Sequence, residues 1–285
     1  MSERASEPTA QREPASEPTT QREPASEPTT QRVWTPAEIF DLTGRTALVT
    51  GASSGLGARF ARTLAAAGAI VWAAARRKER LEALAAGEPR IRPVAGDVSS
   101  EADRVALMER IVGETGPLDV LVNNAGVGSG AKPLHEESAA FAQVLETNLT
   151  GPFHLAQLAA RAADGRELSI VNVSSIVGVV ATAPRGGASY AAGKAGLIGL
   201  TRQLAGHWGT RGVRANALAP GWFRTEMNDA MFDDPASVKW IERNTMVRRA
   251  GTPAELDGAL LFLASSASTY CTGQVLAIDG GWTAR

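Results

Sequence analysis

The chain has 285 residues and a formal net charge of −1, with 44% hydrophobic and 21% charged residues. This composition is typical of a soluble globular protein, and the near-neutral charge argues against general binding to nucleic acid or to anionic membranes. No stretch reaches the apolar length of a membrane helix and the first residues lack a secretory core, so we expect a cytoplasmic protein. Cys271 is the only cysteine, and His135, His154 and His207 are far apart, so neither an internal disulfide nor a metal site is expected.

The first 33 residues read as a low-complexity tail. From Ser6 to Arg32 a ten-residue unit repeats as SEPTAQREPA, SEPTTQREPA and SEPTTQR, without any Val, Ile, Leu or aromatic residue. Such a segment cannot bury a hydrophobic core, so residues 1–33 are predicted to be disordered and residues 34–285 to form one domain. A repeat expansion, an early start site and a tethering role all remain open as its explanation.

Short apolar runs alternate with helical segments along the rest of the chain. Residues 56–68, 77–87 and 101–116 carry apolar side chains at helical spacing, and the first two of these segments end on Gly68 and Gly87. The predicted strands, most of them apolar on both faces, are 45–50, 69–75, 91–96, 118–124, 168–173, 213–219 and 274–279. This pattern predicts an α/β fold with a doubly wound, mostly parallel, seven-stranded Rossmann-type sheet and helices on both faces.

The first predicted strand leads directly into a glycine-rich loop, TGASSGLG at residues 50–57, which opens a helix. Small side chains let the backbone approach a pyrophosphate, whose charge is stabilised by free amide groups and the positive end of the helix dipole. Gly55 and Gly57 are expected to lie closest to it. The spacing departs from the commoner Gly-x-Gly-x-x-Gly, and the missing Gly-Lys-Ser/Thr ending argues against a triphosphate-hydrolysing loop. Taken alone, the loop is also compatible with an ordinary tight turn.

The end of the second predicted strand indicates which cofactor is bound. Where a carboxylate would bind the adenosine ribose of NAD, the chain carries Arg76, Arg77 and Lys78. Three cations favour the extra phosphate of NADP, so NADP(H) is the expected cofactor and NAD(H) is the alternative. Arg76 is predicted to clamp that phosphate, because a guanidinium binds phosphate oxygens in bidentate fashion and stacks on adenine. For Arg77 and Lys78, a solvated helix start is the alternative.

Tyr190 and Lys194 stand four residues apart in SYAAGK, and therefore on one face of a predicted helix. A free tyrosine has a pKa near 10, and a cation within about 4–6 Å lowers that pKa by stabilising the phenolate. This spacing predicts that Tyr190 transfers protons and that Lys194 tunes it. VNVSSIVG ends the fifth strand, at the edge where ligands bind in such sheets, so Ser174 or Ser175 is expected to hold a substrate oxygen nearby.

Together these motifs resemble the short-chain dehydrogenase/reductase family, in its compact single-domain branch. The resemblance covers nearly everything from about Phe40 to the C-terminus. Its motifs are TGASSGLG (50–57), Asp97-Val98, NNAG (123–126), Asn148 in TNLTG, Ser175 in VSSIVG, Tyr190 and Lys194 in SYAAGK, Pro220-Gly221 with Thr225 in APGWFRTEM, and TGQVLAIDGG. Two departures are visible: Gly193 stands where Ser or Ala is frequent, and the separation between Ser175 and Tyr190 is slightly long. The latter puts the substrate's identity, not catalysis, in doubt.

The resemblance implies an NAD(P)(H)-dependent oxidoreductase that interconverts a ketone or aldehyde and an alcohol. In this reading Ser175 positions the carbonyl oxygen and Tyr190 is the general acid or base. Lys194 tunes Tyr190 and binds the nicotinamide ribose, and Asn148 holds a water of the proton relay. The cofactor-binding residues implied are Gly51, Ser53, Ser54, Gly55, Leu56, Gly57, Arg76, Asp97, Val98, Asn124, Ala125, Gly126, Tyr190, Lys194, Pro220, Gly221, Phe223 and Thr225.

The substrate, taken to be a small carbonyl or alcohol, is less well defined. Residues 222–249 are rich in Met and aromatic side chains and are predicted to form a short helical flap over a hydrophobic or mixed substrate. Packing of this segment on another subunit is the alternative. The resemblance implies a homotetramer or homodimer, with interfaces near 136–163, 189–208 and the last strand. A 3-oxoacyl thioester is one candidate substrate, beside sugars, polyols, steroids and aromatic alcohols.

Two other classes of protein compete with this reading. The first is a nucleotide-sensing or scaffolding protein that has the same fold but no catalytic activity. Such a protein usually lacks the tyrosine or the lysine, and both are present here. A sugar-nucleotide epimerase of the extended branch would need a larger C-terminal domain than the residues after Gly221 provide.

Overall fold

The computed structural model describes residues 33–284, so all but Val33 of the predicted tail lies outside the described residues. Residues from Pro36 onward group into one unit, built around a sheet of seven strands in the order β3-β2-β1-β4-β5-β6-β7. The strands are β1 (Thr46–Thr50), β2 (Ile70–Ala75), β3 (Ile91–Ala95), β4 (Val120–Asn123), β5 (Leu168–Val173), β6 (Val213–Pro220) and β7 (Val275–Ile278). Each predicted run overlaps one strand, and β6 extends one residue beyond its run. Neighbouring strands are all parallel, so the doubly wound sheet is confirmed.

Helices connect the strands and cover both faces of the sheet. They are α1 (Pro36–Ile39), α2 (Gly55–Ala66), α3 (Lys78–Ala85), α4 (Glu101–Thr115), α5 (Ser138–Leu145), α6 (Gly151–Ala163), α7 (Ala188–Trp208), α8 (Asp229–Asp233), α9 (Pro235–Asn244) and α10 (Asp257–Ala264). The three helices predicted from periodicity correspond to α2, α3 and α4. Gly68 and Gly87 follow the first two with positive φ angles, which glycine adopts without steric cost.

Two hydrophobic cores lie on opposite faces of the sheet because successive strand residues point to opposite sides. On one face, Phe60 and Leu64 of α2 pack with Val49 of β1 in a cluster that also includes α10. On the other face, Leu48 of β1 packs with Ile111 of α4 in a cluster that also includes α6 and α7. All five side chains are completely buried, and each contributes roughly 1.5–3 kcal/mol on burial. These cores hold the strand ends in fixed positions.

The topology places a crevice at the carboxyl ends of the central strands. β1 lies between β2 and β4. The connection from β1 to β2 therefore runs towards one edge of the sheet, and the connection from β4 to β5 runs towards the other edge. In open sheets of this kind, ligands bind at that point. Thr50, Asn123, Val173 and Pro220 end their strands at this edge, and the segments that follow them carry most of the predicted site.

The segment after β6 (residues 222–249), here called the flap, is helical as predicted. A 3-10 turn (Glu226–Asn228) leads into α8 and then α9, where the Asp234 side chain caps the first turn by accepting hydrogen bonds from Ala236 N and Ser237 N. Two of its aromatic side chains pack on each other: Trp222 and Trp240 lie edge to face at 5.4 Å between ring centroids, and both contact Trp282. Within the part of the chain that the structure describes, no helix is long and apolar enough to cross a membrane.

Candidate active site

The glycine-rich loop is shaped so that backbone amides face the crevice. Gly51 and Gly55 have φ angles of +68° and +54°, in the region that other residues avoid. A Cβ on Gly57 would stand 2.3 Å from Gly51 O, so the loop can close only with glycine at this position. Ser54, which precedes α2, makes no capping hydrogen bond with its side chain. The amides of the first turn of α2 are therefore suited to an anionic group, as predicted for a pyrophosphate.

Hydrogen bonds between Thr50 and Asn124 hold this loop against the end of β4. Asn124 Nδ2 donates to Thr50 O at 2.9 Å, and Thr50 Oγ1 accepts from the backbone amides of Asn124 and Ala125 at 3.0 Å each. A Cβ on Gly51 would stand 2.8 Å from Ala125 Cα, so the two segments touch through bare backbone. The NNAG segment (residues 123–126) therefore supports the glycine-rich loop, hereafter the phosphate loop, and also borders the crevice.

One cavity of about 430 Å³ collects nearly all the predicted site residues. The structure brings to its walls Gly51, Ser53, Ser54, Gly55, Leu56, Gly57, Arg76, Asp97, Val98, Asn124, Ala125, Gly126, Ser175, Tyr190, Lys194, Pro220, Gly221, Phe223 and Thr225. Met227, from the flap, also contacts it. Apart from Tyr190 and Lys194, which lie on α7, these residues follow the ends of six different strands, so their convergence is a consequence of the parallel topology.

Tyr190, Lys194 and Ser175 meet at one end of this cavity. Tyr190 and Lys194 lie one turn apart on α7, with Lys194 Nζ 5.6 Å from the centroid of the tyrosine ring. The ammonium donates a hydrogen bond of 2.7 Å to Val173 O, at the end of β5. Ser175 lies beside the Tyr190 side chain, whereas Ser174 Oγ turns away to donate to Lys194 O at 2.8 Å. Of the two serines proposed from the sequence, Ser175 is thus the one beside the phenol.

Burial dominates the ionisation of this pair. Desolvation raises the pKa of Tyr190 above its ordinary value, and the interaction with Ser175 opposes that rise. Desolvation also lowers the pKa of Lys194 to about 8. The expected lowering of the Tyr190 pKa by Lys194 is therefore not found. The reason is that partial burial disfavours the charged form of the phenol more than the interaction with Ser175 favours it.

Asn148 lies close to Lys194, in a π-helical turn (Glu146–Thr150) between α5 and α6. Gly126 has no side chain to separate it from Lys194: a Cβ there would be 3.2 Å from Lys194 Nζ and 3.5 Å from Asn148 Oδ1. Gly193 allows a similar approach from α7, since its Cβ would be 3.0 Å from Asn148 Cβ. Gly193 stands where Ser or Ala is frequent, and its lack of a side chain lets α7 pack closely on Asn148. π-Turns often mark functional sites.

Of the cations after β2, Arg77 makes more contacts with the rest of the protein than Arg76, the residue predicted to clamp the phosphate. Arg76 lies at the cavity wall, but its side chain is 72% exposed and its nearest charged partner is Asp97, at 3.8 Å. Arg77 is held more firmly: it donates to Ser53 Oγ and Ser54 Oγ in the phosphate loop and pairs with Glu226 of the flap. The clamp assignment to Arg76 stays a prediction. The role of Glu226 had no signal in the sequence, because its partners lie about 150 positions away.

Comparisons with known proteins agree with this geometry. A family model described as enoyl-(acyl carrier protein) reductase matches residues 51–283. Galactitol 2-dehydrogenase (L-tagatose-forming) of Cereibacter sphaeroides is 39% identical over 86% of this chain and 97% of that protein. The 3-oxoacyl-[acyl-carrier-protein] reductase of Thermotoga maritima is 38% identical over 84% and 98%. The crystal structure of gluconate 5-dehydrogenase from Burkholderia cenocepacia, in complex with NADP and tartrate, has a TM-score of 0.83 and 36% identity over 87% and 99%.

The chain therefore belongs to the short-chain dehydrogenase/reductase family, and it is an NAD(P)-dependent oxidoreductase of that family. Two further solved neighbours, 37% and 36% identical, also contain bound NADP, which supports the cofactor preference predicted from the cations after β2.

Proposed function

We propose that this protein uses NADP(H) to interconvert a ketone or aldehyde and an alcohol, with Tyr190 transferring the proton. The observation that carries the proposal is the meeting of Tyr190, Ser175 and Lys194 in the same cavity as the glycine-rich loop. NADP(H) is favoured over NAD(H) because cations rather than a carboxylate follow β2, and because related structures contain NADP.

The residues of the cavity suit this cofactor. The loop that opens α2 would hold the pyrophosphate, while Asp97 and Val98 would border adenine at the end of β3. Lys194 would bind the nicotinamide ribose, and Thr225, at the start of the flap, would seat the carboxamide or the phosphates. When bound, the nicotinamide supplies or accepts the hydride.

In the direction of reduction, the Ser175 hydroxyl donates a hydrogen bond to the substrate oxygen and holds it beside Tyr190. The Tyr190 phenol then donates its proton to that oxygen as negative charge develops there, an effect typically worth about 10² to 10⁴ in rate. The Lys194 ammonium, one helical turn away, would offset part of the cost that burial imposes on the phenolate that remains. Asn148 is placed close to Lys194, where it would hold the water that returns a proton to the tyrosine. In oxidation the same steps run in reverse.

The first candidate substrates are polyols, sugar acids and 3-oxoacyl groups on acyl carrier protein, the classes in the names of three relatives. Steroids and aromatic alcohols are further candidates. The direct experiment is a panel of sugar carbonyls, ketones and 3-oxoacyl thioesters, assayed with NADPH that carries deuterium at the transferred position. We expect deuterium in the alcohol product of at least one class, and faster turnover with NADPH than with NADH. The proposal would be contradicted if the protein oxidised NADPH with none of these substrate classes.

We also propose a homodimer or homotetramer. This assembly is the one that the family resemblance implies, and Phe153 of α6, which is 40% exposed, lies in one of the implied interface segments. Light scattering on the purified protein would measure the mass directly, and a monomer would contradict the proposal.

A further inference from the structure

Two guanidinium groups, one of them in the wall of the cofactor cavity, hold the carboxylate of Glu226. Arg77 binds it through two parallel hydrogen bonds, Nη1 to Oε1 and Nη2 to Oε2, each 2.9 Å long. Arg80 Nη1 donates to both oxygens, at 3.0 and 3.1 Å. Guanidinium groups recognise carboxylates and phosphates through the same bidentate geometry. Arg77 and Arg80 therefore form an anion-binding site that a side chain of the protein itself occupies.

This anion-binding site is continuous with the phosphate loop. Arg77 also donates to Ser53 Oγ at 3.1 Å through Nε and to Ser54 Oγ at 2.8 Å through Nη2. Both serines, Arg77 and Glu226 line the cofactor cavity. Arg77 comes two residues after β2, the strand whose end faces the adenosine ribose in this fold. A phosphate on the 2′ position of that ribose would reach the same guanidinium groups.

The carboxylate can leave without disturbing the flap backbone. The Glu226 side chain is 50% exposed, so it can turn into solvent. The turn that carries it is fixed separately by Asn228, whose Oδ1 accepts from Thr225 N at 2.8 Å and from Thr225 Oγ1 at 3.0 Å. Exposed ion pairs contribute little to stability, whereas a phosphate monoester carries up to two negative charges. A 2′-phosphate is therefore a strong competitor for the two arginines.

We propose that Glu226 is a specificity-determining residue for the cofactor: its carboxylate takes the place of the ribose 2′-phosphate between Arg77 and Arg80, so that NADP(H) must displace it and NAD(H) need not. Glu226 thereby weakens the binding of NADP(H) relative to NAD(H). The preference for NADP(H) is therefore smaller than it would be with the two arginines alone. The inference rests on the proposed function, because it requires a nicotinamide dinucleotide in this cavity. It places the phosphate contact on Arg77 and Arg80 rather than on the predicted clamp, Arg76.

The test compares two fragments of the cofactor, 2′,5′-ADP and 5′-AMP, which differ only in the 2′-phosphate. Their binding to the full chain would be measured by isothermal titration calorimetry. Since the competing charge is exposed, we expect Glu226→Gln to bind 2′,5′-ADP about fivefold more tightly than the wild type and to bind 5′-AMP within about twofold of it. The matched control is Asp233→Asn, which removes the same charge from the same flap at a residue paired with Arg224 instead. It should change neither affinity.

Three outcomes would overturn the inference: unchanged affinity of Glu226→Gln for 2′,5′-ADP, an equal gain for both fragments, or a loss for both. A loss for both would show that the carboxylate closes the cavity rather than competing with the phosphate. Glu226→Ala provides a second variant, with the same ordering expected. Titration of the wild type with NADP⁺ and NAD⁺ separates this inference from the proposed function: binding of neither dinucleotide contradicts the function, whereas normal binding with an unresponsive Glu226→Gln contradicts only the inference.

Discussion

The side-chain amide of Asn148 and the main chain of Val127 exchange two hydrogen bonds. Val127 N donates to Asn148 Oδ1 at 2.9 Å, and Asn148 Nδ2 donates to Val127 O at 2.8 Å. Asn148 is completely buried, so it cannot turn away without breaking both bonds. Val127 lies in the wall of the cofactor cavity. The pair therefore fixes the loop after β4 against the π-helical turn that carries Asn148.

Replacing Asn148 with leucine should cost both stability and activity. Leucine has a similar volume but cannot form either hydrogen bond with Val127, at about 0.5–1.5 kcal/mol for each bond lost. We expect a Tm lower by roughly 5 °C and a kcat lower by about tenfold or more. Thermal unfolding and steady-state kinetics would measure these changes. Gln143→Leu, at an exposed position of α5, is the control. Wild-type Tm and kcat in Asn148→Leu would contradict this account.

Glu136 connects the loop after β4 to the first turn of α7. It accepts a hydrogen bond of 3.1 Å from Ser189 N and further bonds from the hydroxyls of Ser129 and Ser189, which hold its pKa below the ordinary value. Because Ser189 precedes Tyr190, we infer that Glu136 positions the phenol. Glu136→Ala should lower kcat by about tenfold while the Kd of NADP⁺ stays within about twofold.

The adjacent Glu137 is exposed and provides the control, since Glu137→Ala should alter neither constant. A matching loss of cofactor affinity in Glu136→Ala would indicate general damage to the fold instead of a positioning role.

The pH dependence of carbonyl reduction should report Lys194. Its pKa of about 8 means that the ammonium is lost as the pH rises through that value. Burial raises the pKa of Tyr190, so the phenol itself keeps its proton over the same range. We therefore expect kcat for reduction to be level near neutrality and to fall above about pH 8. A kcat that stays level well into the alkaline range would show that the charge on Lys194 is not needed.

Arg76 and Arg77 should differ in their effect on the cofactor. Arg77→Gln removes a guanidinium fixed by Ser53 and Ser54, so we expect the Kd of NADP⁺ to rise about tenfold with little change for NAD⁺. Arg76→Gln removes an exposed group and should raise the Kd of NADP⁺ by about threefold or less. Fluorescence titration would measure both constants. A larger effect at Arg76 would restore the clamp predicted from the sequence.

The sequence predicts the framework of this protein well because its signals are local. Strands buried on both faces are continuous apolar runs, and the phosphate loop is a short run of glycine and serine, so both can be found without knowing the fold. The Tyr190–Lys194 spacing likewise needs only one helix.

The features that the sequence did not predict depend on contacts between distant segments. Glu226 meets Arg77 across 149 positions, and Glu136 meets Ser189 across 53. A carboxylate in either place looks like an ordinary surface residue until the chain is folded. The sign of the Tyr190 pKa shift was missed for a similar reason, since desolvation is set by the surrounding elements and not by the spacing of two residues on a helix.

The most direct test of the proposed chemistry is turnover by Tyr190→Phe, which removes one hydroxyl and keeps the ring. With the best carbonyl substrate and saturating NADPH, we predict that kcat falls by about 10² to 10⁴ while the Kd of NADP⁺ stays within about twofold. A variant that binds NADP⁺ normally and keeps the kcat of the wild type would contradict the assignment of Tyr190 as the proton-transfer residue.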